Sequence, residues 1–89
     1  MRAVITVLGE DKIGIIAKVS TVLYEADVNI QDISQTIMDD IFTMIMLVDI
    51  AKTNIPFDEL SSRLAGVGEE IGVKVKIQHE SIFNSMHRI

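Results

Sequence analysis

The chain contains no cysteine and no tryptophan, one proline, and only four aromatic residues in 89. The missing cysteines exclude disulfides, thiol nucleophiles and thiolate metal sites together, and they are compatible with a reducing, cytoplasmic setting, which is the expected location. Phe42, Phe57, Phe83 and Tyr24 are too few and too scattered to build a base-stacking surface, which RNA-binding sheets require. Positive charge is also scarce: eight Lys and Arg face thirteen Asp and Glu, for a formal charge of −5. The eight are scattered along the chain, and an acidic protein without a basic cluster repels phosphate backbones, so no nucleic-acid partner is expected. No apolar run approaches the ~18 residues of a membrane span, and the first residues read directly into a strand rather than a signal peptide. With two histidines, His79 and His87, and no nucleophile placed to be served by either, no catalytic residue, cofactor or metal ion is expected.

What is present is aliphatic. Hydrophobic residues make up 48% of the chain, enough for one core, and the length allows one domain. Ala3 to Leu8 is a strand-like run. From Ile15 to Ala26, the residues Ile15, Ile16, Val19, Val22, Leu23 and Ala26 fall on one helical face, with Lys18, Thr21 and Glu25 opposite. Val28 to Met38 reads as a strand whose alternation slips: Val28 and Ile30 are in one phase, Ile33 and Ile37 in the other. A bulge or a kink near Gln31-Asp32 would account for the slip. Asp39-Asp40 is a tight turn into a second strand, Ile41 to Ile50. Pro56 suits the first turn of a helix carrying Phe57, Leu60, Leu64, Val67 and Ile71. Gly66 and Gly68 weaken that helix, and Gly72 stops it. Val73, Val75 and Ile77 then alternate with Lys74, Lys76 and Gln78 as an edge strand with one wet face. The order βαββαβ predicts an α+β, ferredoxin-like sandwich: a four-stranded antiparallel sheet with two helices on one face, over residues 1–79.

Two helices leave the other sheet face bare. Phe42, Met44, Met46, Val48 and Ile50 take one side of the third strand, but Ile41, Ile45 and Leu47 take the other. Exposing such side chains forgoes roughly 1.5–3 kcal/mol each. A small domain has little to spare, so a homodimer or higher homo-oligomer is expected, by sheet extension or by face-to-face stacking. In the tail, residues 80–89, Ile82, Phe83, Met86 and Ile89 have helical spacing. A helix this short is marginal alone, so it is expected to lie on the open sheet face or to reach a partner subunit. Ile41, Ile45, Leu47, Phe83 and Met86 are the candidate interface residues.

The candidate site is the turn Gly9-Glu10-Asp11-Lys12-Ile13-Gly14-Ile15, between the first strand and the first helix. Unpaired N–H groups and the positive end of a helix dipole attract small anions, carboxylates included. Gly14, placed in the first helical turn, costs about 1 kcal/mol against alanine and points to close approach of something to the backbone. The plainer alternative is that Asp11 caps the helix and Gly14 eases a tight turn. Asn29, at the start of the second strand, both donates and accepts, as recognition of an ammonium and a carboxylate requires; it also reads as a turn residue after Asp27. Asp39-Asp40 and Glu69-Glu70 read as turn formers and a solvated helix face.

Together Gly9, Asp11, Gly14-Ile15 with Val19 and Leu23, Asn29-Ile30 with Asp32 and Ile33, then Phe42 and Met44, resemble the ACT domain over residues 2–79. The similarity is greatest to small stand-alone bacterial members and to the halves of the glycine-cleavage-system regulator. The resemblance implies a regulatory module that binds an amino acid at a dimer interface. It maps Asp11, Gly14, Ile15 and Asn29 to ligand-contacting positions, with Gly9, Lys12 and Ile13 as loop neighbours. Typical members read Asp-Arg-Pro-Gly where this chain has Asp11-Lys12-Ile13-Gly14, so the loop lacks its stiffening proline. With no enzyme or DNA-binding domain attached, a signal is expected to pass to a separate enzyme or regulator. A second reading is an interaction module with a vestigial ligand site, working through the open face and the tail. A third, a small phosphatase, lacks the basic phosphate-cradling loop it requires.

Overall fold

The computed structural model describes residues 1–10 and 13–86. Seven elements follow one another: β1 (Arg2–Glu10), α1 (Ile15–Glu25), β2 (Asn29–Met38), β3 (Ile41–Asp49), α2 (Phe57–Ile71), β4 (Val73–His79) and a short α3 (Glu80–Met86). The strands form one antiparallel sheet in the order β2-β3-β1-β4. This is the expected ferredoxin-like arrangement, with β2 and β4 as its edges.

The alternation of each strand decides which residues meet the helices. Ala3, Ile5 and Val7 of β1, Phe42, Met44, Met46 and Val48 of β3, and Val73, Val75 and Ile77 of β4 face α1 and α2. They are buried with Ile15, Val19, Val22 and Leu23 of α1 and Leu60 and Leu64 of α2. The phase slip in β2 is a register shift between Ile30 and Asp32, where one extra residue returns Ile33 and Ile37 to the helix side of the sheet.

Three local expectations change. Gly14 is not inside the helix but at its N-cap, with φ 86°, a conformation that costs an L side chain about 1–2 kcal/mol. Ile16, expected in the core with its neighbours, is exposed, because α1 lies at the β2 side of the sheet and turns that flank outward. Gly68 does not merely weaken α2. It is buried where β4 presses against the helix, and a Cβ there would meet the Val73 carbonyl oxygen at 2.6 Å.

On the other sheet face, α3 packs across β1 and β4. Its first residue is held to the start of β1: the Arg2 guanidinium donates to the Glu80 carboxylate, Nε to Oε1 at 3.1 Å and Nη2 to Oε2 at 2.7 Å. Beneath it Val4, which points away from α1 and α2, is only 5% exposed, and Leu47 opposite is half-buried. Hence β1 is apolar on both faces over part of its length. The helical spacing of the tail is realised as far as Met86.

Candidate functional site

The β1–α1 turn delivers an unusual helix start. Gly14 takes the N-cap with no side-chain cap, its carbonyl accepts the first helical bond from the Lys18 N–H at 2.9 Å, and the first turn of α1 holds no acidic residue. The positive end of the dipole therefore has no carboxylate in that turn to offset it. Among the described residues, no atom outside the turn lies within 4 Å of where a Gly14 Cβ would stand. The glycine is required by its backbone angle, and the space above it is open. Ile15 turns inward to the core, while Ile13 stands fully exposed at the position where the resemblance expects proline. Gly9 is the last residue of β1 paired on both sides, with Phe42 of β3 and Val73 of β4. Asp11 and Lys12 lie outside the described residues.

Beside Gly14 runs a groove of about 500 Å³, walled by Ile15, Ile16 and Ala17 on one side and by Gln35, Ile37 and Phe42 on the other. Among the described residues that line it, Gln35 has the one polar side chain. The groove opens along the free edge of β2, where Ile33 is 42% and Ile37 52% exposed.

Asn29 is elsewhere. It borders a separate hollow of about 400 Å³ with Tyr24, Asp27, Val28 and Lys52, at the far end of α1. The eleven residues of α1 put roughly 16 Å of helix between that end and Gly14. Within one chain, the two halves of the candidate site are thus separated by the length of α1. Asn54, whose role sequence reading overlooked, bonds to Asp27 in the lining of the hollow. Its N–H donates to the Ala26 carbonyl at 3.0 Å, and its side-chain amide donates to the Glu25 carbonyl at 3.0 Å and to Asp27 Oδ2 at 2.9 Å. The bonds close the C-terminal end of α1 and hold Asp27 at φ 58°.

Of the candidate interface residues, Ile41 stands exposed at the β2–β3 turn, Ile45 is exposed and Leu47 half-buried on the open sheet face, and Phe83 is half-buried under α3. Nothing is described for the Met86 side chain. His79 stacks on Phe57 with ring centroids 4.2 Å apart, which gives it a packing role. Among the described residues, no three His, Cys, Asp or Glu side chains converge in a metal-binding cluster, and no helix is long and apolar enough to cross a membrane.

Residues 2–78 match the sequence profile of the ACT domain. The chain belongs to the ACT domain family. A UPF0237 protein of Listeria monocytogenes serotype 4b (strain F2365) is 54% identical over 89 residues, covering all of both chains. Among solved structures, an ACT domain protein from Streptococcus pneumoniae is similar at 42% identity and a TM-score of 0.80, over 93% of each chain. The regulatory subunit of aspartate kinase from Thermus thermophilus is similar at 26% identity and a TM-score of 0.67, over 86% of this chain and 50% of that one. ACT domains are typically ligand-binding regulatory modules, and they commonly dimerise. The open helix start and the apolar groove beside it are therefore the parts of this ACT domain to be weighed as a ligand site.

Proposed function

We propose that this ACT domain is a non-catalytic regulatory module that works as a homodimer and binds an amino acid at a site built from two chains. The observation that carries the reading is the separation of Gly14 from Asn29 by the length of α1. An antiparallel pairing of two β2 edges about a twofold axis sets the start of one β2 beside the end of the other. Asn29 of one chain then approaches the Gly14 groove of its partner. The edge is suited to such pairing: β2 is ten residues long and exposed except at Ile30, and it carries none of the lysines or prolines that blunt free edges.

In this arrangement the N–H groups at the start of α1 receive the ligand carboxylate. Asp11 and the partner's Asn29 read its ammonium group. The lining of Ile15, Ile16, Ile37 and Phe42 favours an apolar side chain. Ligand held between two chains shifts the dimer geometry, or its affinity for a separate enzyme or regulator, because it binds one arrangement better than the other.

The test is a thermal-shift screen against the twenty amino acids at millimolar concentration. A ligand at 100 times its Kd adds about 2.7 kcal/mol, and a small domain gains about 4–8 °C per kcal/mol. A selective shift with aliphatic amino acids, lost in Asn29→Ala, is expected. A flat panel would reject amino-acid binding and favour the interaction-module reading, in which the loop without its proline no longer holds a ligand. Truncation after His79 then discriminates further, because only that second reading requires the tail.

A further inference from the structure

The open face of the sheet carries a second groove, independent of the β2 edge and of the Gly14 turn. Its volume is about 370 Å³, within the range of small-molecule sites, roughly 300–1,000 Å³. Leu8 and Ile45 form its floor and Phe83 of α3 is one wall. Lys74 and Lys76, two residues apart on the same face of the edge strand β4, form the rim. The strand register fixes their spacing: Leu8 lies opposite Lys74, and Thr6 lies between Ile45 and Lys76. Thr6 and Gln78 also line the groove.

The charge state of the rim is the discriminating feature. Three of the other four described Lys and Arg side chains have found carboxylates, Lys52 being the exception: Arg2 with Glu80 at 2.7 Å, Lys18 with Glu70 at 2.6 Å and Arg63 with Glu59 at 2.6 Å. Neither Lys74 nor Lys76 is in an ion pair with a described residue, although acidic side chains outnumber basic ones thirteen to eight. Two adjacent cations beside an aliphatic and aromatic floor complement one kind of molecule: a small organic anion with an apolar body. From this we infer that the open face is a second ligand site, taking an aryl or medium-chain alkyl carboxylate. Its apolar part lies over Leu8 and Ile45 against Phe83, and its carboxylate is held by Lys74 and Lys76. Lysines on an edge strand also deter strand pairing, a role that uses their charge without any ligand.

The experiment is an NMR titration of the full chain with 4-phenylbutanoate, and in parallel with 4-phenylbutylamine, which has the same apolar body and the opposite charge. Saturable shifts at Leu8, Ile45, Lys74 and Lys76 are expected with the carboxylate, with the amine binding much more weakly. Lys74→Gln combined with Lys76→Gln weakens the carboxylate about three- to tenfold, as the loss of two exposed ion pairs implies. Phe83→Ala weakens both probes, with the amide spectrum of the sheet retained. Equal binding of amine and carboxylate, shifts centred on Ile16 and Ile37 instead, or no saturable shift would each overturn the inference. Unchanged carboxylate affinity in the lysine variant would do the same, and would leave the two lysines as edge protection alone.

Discussion

Gly66 and Gly68 lie two residues apart in the same helix and answer to different constraints. A Cβ on Gly66 meets no atom within 4 Å, whereas one on Gly68 meets the Val73 carbonyl oxygen at 2.6 Å, an atom of the sheet backbone that cannot swing aside. Gly66→Ala therefore removes the helix penalty of glycine and adds about 0.5–1 kcal/mol. Gly68→Ala forces α2 and β4 apart and costs about 1–3 kcal/mol, so the two variants move the unfolding midpoint in urea in opposite directions. Gly14 is a third case, open in space but at φ 86°. Gly14→Ala costs about 1–2 kcal/mol from conformation alone and also projects a methyl group toward the proposed ligand carboxylate. Its binding loss should exceed what its stability loss accounts for when both are measured by calorimetry. At Asp49 the Ala51 N–H donates to the carboxylate at 2.9 Å and the N-terminal ammonium stands 3.6 Å away. Together they hold its pKa below the ordinary 3.8. A lowered carboxylate pKa stabilises the fold above the ordinary value, and that stability is lost as pH falls through the lower, folded value. Acid titration should accordingly show a slope below about pH 4 that is reduced in Asp49→Asn.

Elements differ in how far their own residues specify them. The βαββαβ order was legible because each element has its own apolar period, and the β2 bulge was legible because Ile30 and Ile33 cannot share a face without an extra residue. The edge character of β4 followed from the alternation of Val73, Val75 and Ile77 with lysines. What could not be read locally are contacts between distant segments. Asn54 looks like an ordinary residue before Pro56, yet it closes α1 through Glu25 and Asp27, 29 and 27 positions earlier. Gly68 looks like a weak point in α2 until β4 is laid against it. The candidate site was suggested only as a set: Gly9, Gly14 and Asn29 are each common turn residues, and the resemblance joined them without telling that α1 holds Gly14 and Asn29 apart. Asn54 provides the prediction at this scale. Asn54→Ala removes two side-chain hydrogen bonds at an exposed helix end and should cost about 1 kcal/mol, a fall in Tm of about 4–8 °C for a domain of this size. Hydrogen exchange should quicken in the last turn of α1 before it quickens in β3. Uniform quickening would mean that Asn54 clamps nothing in particular.

At the scale of the whole molecule, two apolar surfaces compete as the place where a second chain docks. The open sheet face offers Ile45 and Leu8, but α3 already covers Val4 and half-buries Leu47 there. The β2 side offers Ile33, Ile37 and Ile16 together with a free row of backbone donors and acceptors, which an antiparallel partner strand satisfies and a stacked sheet does not. Charge placed on exposed residues leaves the fold intact, so Ile33→Glu with Ile37→Glu should yield a folded monomer in sedimentation equilibrium, whereas Ile45→Glu should remain dimeric. The reverse pattern would move the interface to the open face and leave Gly14 and Asn29 in separate sites. If β2 is the interface, ligand binding acquires a stoichiometric signature. An Asp11→Ala chain and an Asn29→Ala chain each form homodimers with both sites damaged. Mixed and refolded together, they form heterodimers in which one site carries both substitutions and the other carries neither. Calorimetry of the mixture should recover one full-affinity site per heterodimer, in the half of the dimers that random pairing makes mixed. Were each site contained within a single chain, every chain in the mixture would stay defective and no binding would return.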